Sequence, residues 1–185
     1  MKLYMVMLGC TPPGRFTEQH DIFFGIGESL GELLPQMNAF WPEAQGKIHI
    51  DAWREVTIVG NWQLTIVPKT HDLQPEKLFF INLGGYKQNE FEEYHYKVLA
   101  VGKSLAKASR IAKATAFYKH FGFKGAESHI DDEYGIDIDN IYKVEDILSE
   151  EFTDKYTIKL AEREIMQPED ELHVGYFSIQ KITSL

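Results

Sequence analysis

An α+β fold of two tandem ββαβ-type repeats, with antiparallel sheet, helices on one face and pseudo-two-fold symmetry, is what the sequence predicts. Three observations lead there. The chain repeats itself at an offset of 75 residues, short apolar runs end in glycine, and each copy then shows a stretch of 3.6-residue hydrophobic period. Lys2-Leu3-Tyr4-Met5-Val6-Met7-Leu8-Gly9 aligns without a gap on Lys77-Leu78-Phe79-Phe80-Ile81-Asn82-Leu83-Gly84. The same offset matches Phe16 with Phe91, Glu18 with Glu93, His20 with His95, Gly27 with Gly102, Ser29 with Ser104 and Leu30 with Leu105. That is 10 identities over the 33 positions from 2 to 34, where unrelated sequence of ordinary composition yields about two.

Each copy reads in the same order. Residues 3–8 and 78–83 are nearly continuous apolar runs, the pattern of strands buried on both faces. Polar loops follow, Thr11-Pro12-Pro13-Gly14 and Lys87-Gln88-Asn89-Glu90. Second strands over 22–26 and 97–101 stop at Gly27 and Gly102. Ser29 and Ser104 are then placed to cap helices, Ser29 standing at capping-box spacing from Glu32. Leu30, Leu33, Leu34, Met37 and Phe40 form one helical stripe; Leu105, Ala108, Ile111, Ala112 and Ala116 form the other. Pro35 must kink or restart the first helix, and Pro42 ends it. Third strands are expected to carry His49-Ile50-Asp51 and His129-Ile130-Asp131, a recurrence at an offset of 80 that implies five inserted residues. In the first copy a hairpin over 56–59 and 62–67 turns at Gly60-Asn61. Tyr142-Lys143-Val144 and the strand 156–160 are expected in the equivalent places of the second copy. A last strand from Leu172 to Ile182 is expected to pair across the copies. The expected division is residues 1–74 as first repeat and 75–185 as second repeat with a C-terminal extension, joined at Gln74-Pro75-Glu76 into one compact unit.

Composition narrows the function classes. Apolar residues are 44% and charged residues 25%, which suits a globular chain and excludes disorder as the main state. Asp and Glu number 28 against 19 Lys and Arg, a formal charge of −9 that repels a phosphate backbone and disfavours nucleic acid as a partner. Lys103, Lys107, Arg110 and Lys113 make a basic stripe on the second helix; a solvated helix face is the default reading, an acidic partner or RNA the alternative. The single cysteine, Cys10, rules out an intrachain disulfide and fits a cytoplasmic location. The start of the chain loosely resembles a lipoprotein signal ending at Cys10. Its apolar run is too short, and the same pattern recurs at 77–85, so it reads as a strand. No run approaches the length of a membrane-spanning helix, so no membrane partner is expected.

Familiar catalytic signatures fail. Val101-Gly102-Lys103-Ser104 resembles the end of a phosphate-binding loop, but Lys97 occupies the place of its first glycine. The acidic stretch 131–139 has its glycine misplaced for a calcium loop. What the repeat singles out instead is a polar set held in both copies: Glu18 and His20 with Glu93 and His95, and His49 and Asp51 with His129 and Asp131. Residues two apart on a strand share a face. Imidazoles and carboxylates gathered on one face can hold a small molecule or a divalent metal, can perform acid–base chemistry, or can simply pair with one another structurally.

Leu8-Gly9-Cys10-Thr11-Pro12-Pro13-Gly14-Arg15, Glu18-Gln19-His20-Asp21, His49-Ile50-Asp51-Ala52-Trp53, Phe79-Phe80-Ile81-Asn82-Leu83-Gly84-Gly85-Tyr86, Phe91-Glu92-Glu93-Tyr94-His95 and His129-Ile130-Asp131-Asp132 together resemble the bacterial family of domain of unknown function 1543, over residues 2 to about 148. That resemblance implies one or two copies of the domain per chain and carries no activity, cofactor or catalytic residue with it. The leading expectation is a cytoplasmic, non-catalytic small-ligand-binding or regulatory module. The alternatives are a metal-dependent hydrolase or related enzyme using the His/carboxylate set, and a homodimer formed through an exposed sheet edge.

Overall fold

The glycine-ended apolar runs form the central strands of two sheets in the computed structural model, which describes residues 1–72, 74–86, 89–114, 136–164 and 168–182. One unit comprises Met1–Asp72 with Leu148–Leu185, the other Leu73–Ile147. Every strand pair among the described residues is antiparallel, and the fold is α+β.

In the first unit β1 (Lys2–Cys10) lies between β2 (Gln19–Gly27) and β3 (His49–Glu55), and β10 (His173–Phe177) pairs on the far side of β3. Being central, β1 buries Leu3, Val6 and Leu8 almost completely, each contributing about 1.5–3 kcal/mol of transfer free energy. The stretch read as one helix is a 3-10 turn (Gly31–Leu33) followed by α1 (Leu34–Phe40). Pro35 sits in the first turn of α1, where its missing N–H breaks no bond, so it restarts the helix. Phe40 of α1 then meets Phe23 of β2 edge to face at 5.6 Å. Ser29 caps nothing here, contrary to expectation. The N-cap position of the turn is Leu30, and the Glu32 carboxylate instead accepts from the Glu28 N–H at 2.9 Å.

The hairpin forms as expected from β4 (Ile58–Val59) and β5 (Trp62–Pro68), with Gly60 at φ +59°. The other edge of β5 pairs over its whole length with β9 (Tyr156–Glu162). The strand expected to complete the second copy therefore belongs to the first unit, as do all residues from 148 onward, and the expected second repeat of 75–185 is corrected accordingly. Since β4 is only two residues long, a full-length partner for β5 had to come from elsewhere, and Leu64 and Ile158 bury together on that ladder.

The second unit has β6 (Lys77–Tyr86) between β7 (Glu93–Gly102) and β8 (Ile136–Lys143), with α2 (Leu105–Lys113) on one face. Ser104 caps α2 as expected, its Oγ accepting from the Lys107 N–H at 3.3 Å. Ala108 and Ala112 are small enough to let α2 settle on Phe79, Ile81, Leu83, Val98 and Ala100. Lys103, Lys107 and Arg110 are exposed, and Lys103 lies 3.7 Å from Glu76.

The two central hairpins share one register. Lys2 faces Gly27 and Gly9 faces His20; Lys77 faces Gly102 and Gly84 faces His95, each pair moved by 75. Pairing with the third strand slips at Met7/Leu8 in one and at Asn82/Leu83 in the other, again 75 apart. Gly9 faces His49 as Gly84 faces Asp137. The third strand of the second unit is thus Ile136–Lys143, and Asp137-Ile138-Asp139 stands at the positions of His49-Ile50-Asp51, an offset of 88. Tyr142 and Lys143 pair with Phe80 and Phe79 inside this strand, and Val144 opens a short helix, which corrects the hairpin expected there. His129, Ile130 and Asp131, like Ala116, lie outside the described residues.

Candidate functional site

The register sets a row of three residues across the first sheet: His20 on β2, Gly9 on β1 and His49 on β3. Neighbouring strands lie about 4.8 Å apart, so a glycine in the middle position leaves a hollow between the two imidazoles. Asp51 reaches that hollow because of the bulge. Met7 pairs with Ala52 and Leu8 with Ile50, which leaves Asp51 as the extra residue, and a bulge of this kind re-aims a side chain. A Cβ on Gly9 would stand 2.3 Å from Asp51 Oδ2 and 2.4 Å from His49 Nε2, so only glycine fits beneath them. Glu18, just before β2, closes the set from above.

The four side chains alternate around a ring. His49 Nε2 lies 3.2 Å from Asp51 Oδ2 and 3.1 Å from Glu18 Oε1; His20 Nε2 lies 3.3 Å from Asp51 Oδ2 and 3.7 Å from Glu18 Oε2. His49 and Asp51 form the floor, with side chains 11% and 21% exposed, while His20 and Glu18 form the rim at 39% and 46%. Asp51 Oδ2 is buried and has no hydrogen-bond partner. Neither carboxylate meets a lysine or arginine among the described residues. Among those same residues no three His, Cys, Asp or Glu side chains are set, as they stand, to hold a metal ion.

Tyr176 of β10 adds an aromatic wall, its ring 4.6 Å from that of His49. It arrives through a second irregularity, where pairing with β3 slips between Val174 and Phe177. On the same strand His173 stacks on Trp53 at 3.9 Å, fixing β10 against β3. Gly9, the bulge and Tyr176 are the parts of this site that residue matching missed. Gly9 appeared in the repeat only as a strand end, and Tyr176 falls in the segment after 148, which has no counterpart in the other unit.

Of the matched residues in the second unit, Glu93 and His95 lie on β7, opposite Tyr86 and Gly84. They belong to a separate unit from Glu18, His20, His49 and Asp51. An open cleft of about 540 Å³ between the Pro12-Pro13 turn, Arg15, Asp21 and Trp41 contains none of the four ring residues. Asp21 follows His20 directly on β2 and so points to the opposite face.

Cys10 ends β1 beside this site and is buried. Burial pushes its thiol above the ordinary value, and the nearby Glu18 carboxylate pushes it in the same direction. A raised value keeps the thiol protonated at neutral pH, and the thiolate is the reactive form. The folded protein is therefore expected to react with an aromatic disulfide reagent at pH 8 at least about tenfold more slowly than the protein in guanidinium. Equal rates would contradict the environment described.

Among the described residues no helix is long and apolar enough to cross a membrane. No curated protein matches the chain. Among solved structures it is similar to the crystal structure of a protein Il1583 from Idiomarina loihiensis, with a TM-score of 0.65, 23% identity and 95% of each chain covered. At that identity the likeness is one of fold. Residues 15–66 match the model of the family described as Domain of Unknown Function (DUF1543), and this stretch contributes all four residues of the ring. The segment that holds Glu18, His20, His49 and Asp51 is thus similar to the Domain of Unknown Function (DUF1543) family.

Proposed function

We propose that this protein is a cytoplasmic, non-catalytic small-ligand-binding module whose site is the hollow above Gly9. One observation carries the reading: four polar side chains from the ends of two strands converge over a glycine on the strand between them, and a buried carboxylate oxygen among them, 3.2 and 3.3 Å from two imidazole nitrogens, has no aligned hydrogen bond. A buried acceptor left unmatched costs about 1–3 kcal/mol, so a purely structural network would be expected to satisfy it. Cys10, the one cysteine of the chain, is buried and its thiol is pushed above the ordinary value, which disfavours it as a nucleophile for the ring.

The same proposal reads the two units as copies of one ββαβ ancestor related by a pseudo-two-fold. Support comes from the β1–β2 and β6–β7 registers, which coincide at an offset of 75, and from the bulge that falls at the same step. In this reading Glu93 and His95 correspond to Glu18 and His20. Register equates Asp137 and Asp139 with His49 and Asp51, so the copies have diverged in the third strand.

Thermal melting against a panel of soluble small molecules tests the proposal. At least one compound is expected to raise the melting temperature of the wild-type protein and to lose that effect in His49→Ala. A His49→Ala variant that melts lower while no compound shifts either protein would favour the structural network. Turnover of hydrolase or transferase substrates that vanishes in His20→Ala would replace the module with an enzyme.

A further inference from the structure

We infer that the ligand of the Glu18–His20–His49–Asp51 ring is a divalent transition-metal ion of the zinc type. The inference rests on the ligand-binding reading of this site. Its first support is spacing. An ion held at about 2.0–2.1 Å by four tetrahedral ligands keeps those ligands about 3.3 Å from one another, and His49 Nε2 and Asp51 Oδ2, the two floor atoms that need not move, stand 3.2 Å apart.

Charge is the second support. Two carboxylates face each other across two imidazoles without a lysine or arginine partner among the described residues, and buried Asp51 Oδ2 has the two imidazole nitrogens at 3.2 and 3.3 Å but no aligned hydrogen bond to either. A divalent cation neutralises the pair and gives that oxygen a partner. Donor chemistry is the third. Two imidazole nitrogens with two carboxylates favour zinc, copper or nickel over magnesium and calcium, which prefer oxygen alone. The floor residues His49 and Asp51 are held by β3 and its bulge. The ring is not closed on a single point as it stands, and the members that must turn to close it are Glu18 and His20, the two on the solvent rim.

Calorimetric titration of chelator-treated, full-length protein with zinc chloride at pH 7.5 tests this, with magnesium chloride as the comparison. One zinc ion per chain is expected to bind in a phase that magnesium does not reproduce. His49→Ala and His20→Ala are each expected to weaken that phase by about 100-fold and Glu18→Gln by about 10-fold. His71→Ala, an exposed histidine outside the ring, leaves it unchanged. Asp51→Asn guards against misfolding, because it keeps the volume and removes one negative charge, and it too is expected to weaken zinc by at least about tenfold. Absence of a stoichiometric zinc phase, or a phase equally strong in the His20→Ala/His49→Ala double variant, overturns the inference. If zinc fails while a small molecule still stabilises the protein through His49, the ion is wrong and the ligand-binding reading stands. If both fail, the ring is structural.

Discussion

Gly9→Ala is expected to dismantle the ring without touching any of its four members. The added Cβ would lie 2.3 Å from Asp51 Oδ2 and 2.4 Å from His49 Nε2, well inside van der Waals contact. Something must move, and the choice is limited. β1 is the central strand, paired on both sides, and cannot back away without breaking ladders to β2 and β3. The side chains therefore give way: His49, nearly buried, and Asp51, fixed by its bulge, must leave the positions that bring them within 3.2 Å of each other. Overpacking of this kind costs about 1–3 kcal/mol, so the variant should fold but melt several degrees lower. Ligand or zinc binding should fall to the level of His49→Ala. The paired measurement is a melting curve and a zinc titration on the same preparation. Wild-type binding in a folded Gly9→Ala protein would mean that the hollow above Gly9 is not the site.

That residue also shows what the sequence could and could not reveal. The nearly continuous apolar runs, the glycine stops and the offset of 75 were enough to place β1, β2, β6 and β7, since a run without polar alternation suits strands buried on both faces. The Ser104 cap followed from chemistry local to four residues. Identity matching failed where the fold depends on long-range pairing. It equated His129 with His49 because the letters agree, whereas the ladder to the central strand equates Asp137 with His49. It assigned 156–160 to the second copy because β9 follows in sequence, although the unsatisfied edge of β5 is what the strand pairs with. Glu18, His20, His49 and Asp51 were legible as a set, two by two. Their closure into one ring was not, because it depends on a bulge that carries Asp51 to the face of Gly9, and no short sequence pattern announces such a bulge. Tyr176 was illegible for the same reason as β9: its position is set by a pairing made across more than 100 residues of chain.

Asp170→Ala is expected to loosen the site from a distance and to lower stability by about 2–4 kcal/mol, since hydrogen bonds to a charged acceptor are worth about 1.5–3 kcal/mol each and are not additive. The Asp170 carboxylate accepts from the backbone N–H of Thr57 at 2.7 Å and of Ile58 at 2.9 Å, and from the Thr57 hydroxyl. Beside it Glu169 meets the buried Arg54 at 3.2 Å. Together these bonds fasten the segment before β10 to the end of β3 and the start of the β4–β5 hairpin. Only three residues later His173 stacks on Trp53, and Tyr176 then reaches His49. Alanine leaves two part-buried amides and a hydroxyl without an acceptor, and frees β10 to separate from β3. Asparagine keeps one acceptor oxygen and should recover about half of the loss. Glu169→Gln should cost less than Asp170→Ala, because Glu169 is largely exposed and its pair with Arg54 is screened on that side. Denaturant unfolding gives the order of stabilities, and hydrogen exchange at residues 173–177 reports whether the strand has come away. If Asp170→Ala unfolds at the wild-type midpoint, the clamp contributes nothing. If it is destabilised while exchange along β10 stays slow, the stacking of His173 on Trp53 holds the strand unaided, and Tyr176 stays against His49 without help from the acidic pair.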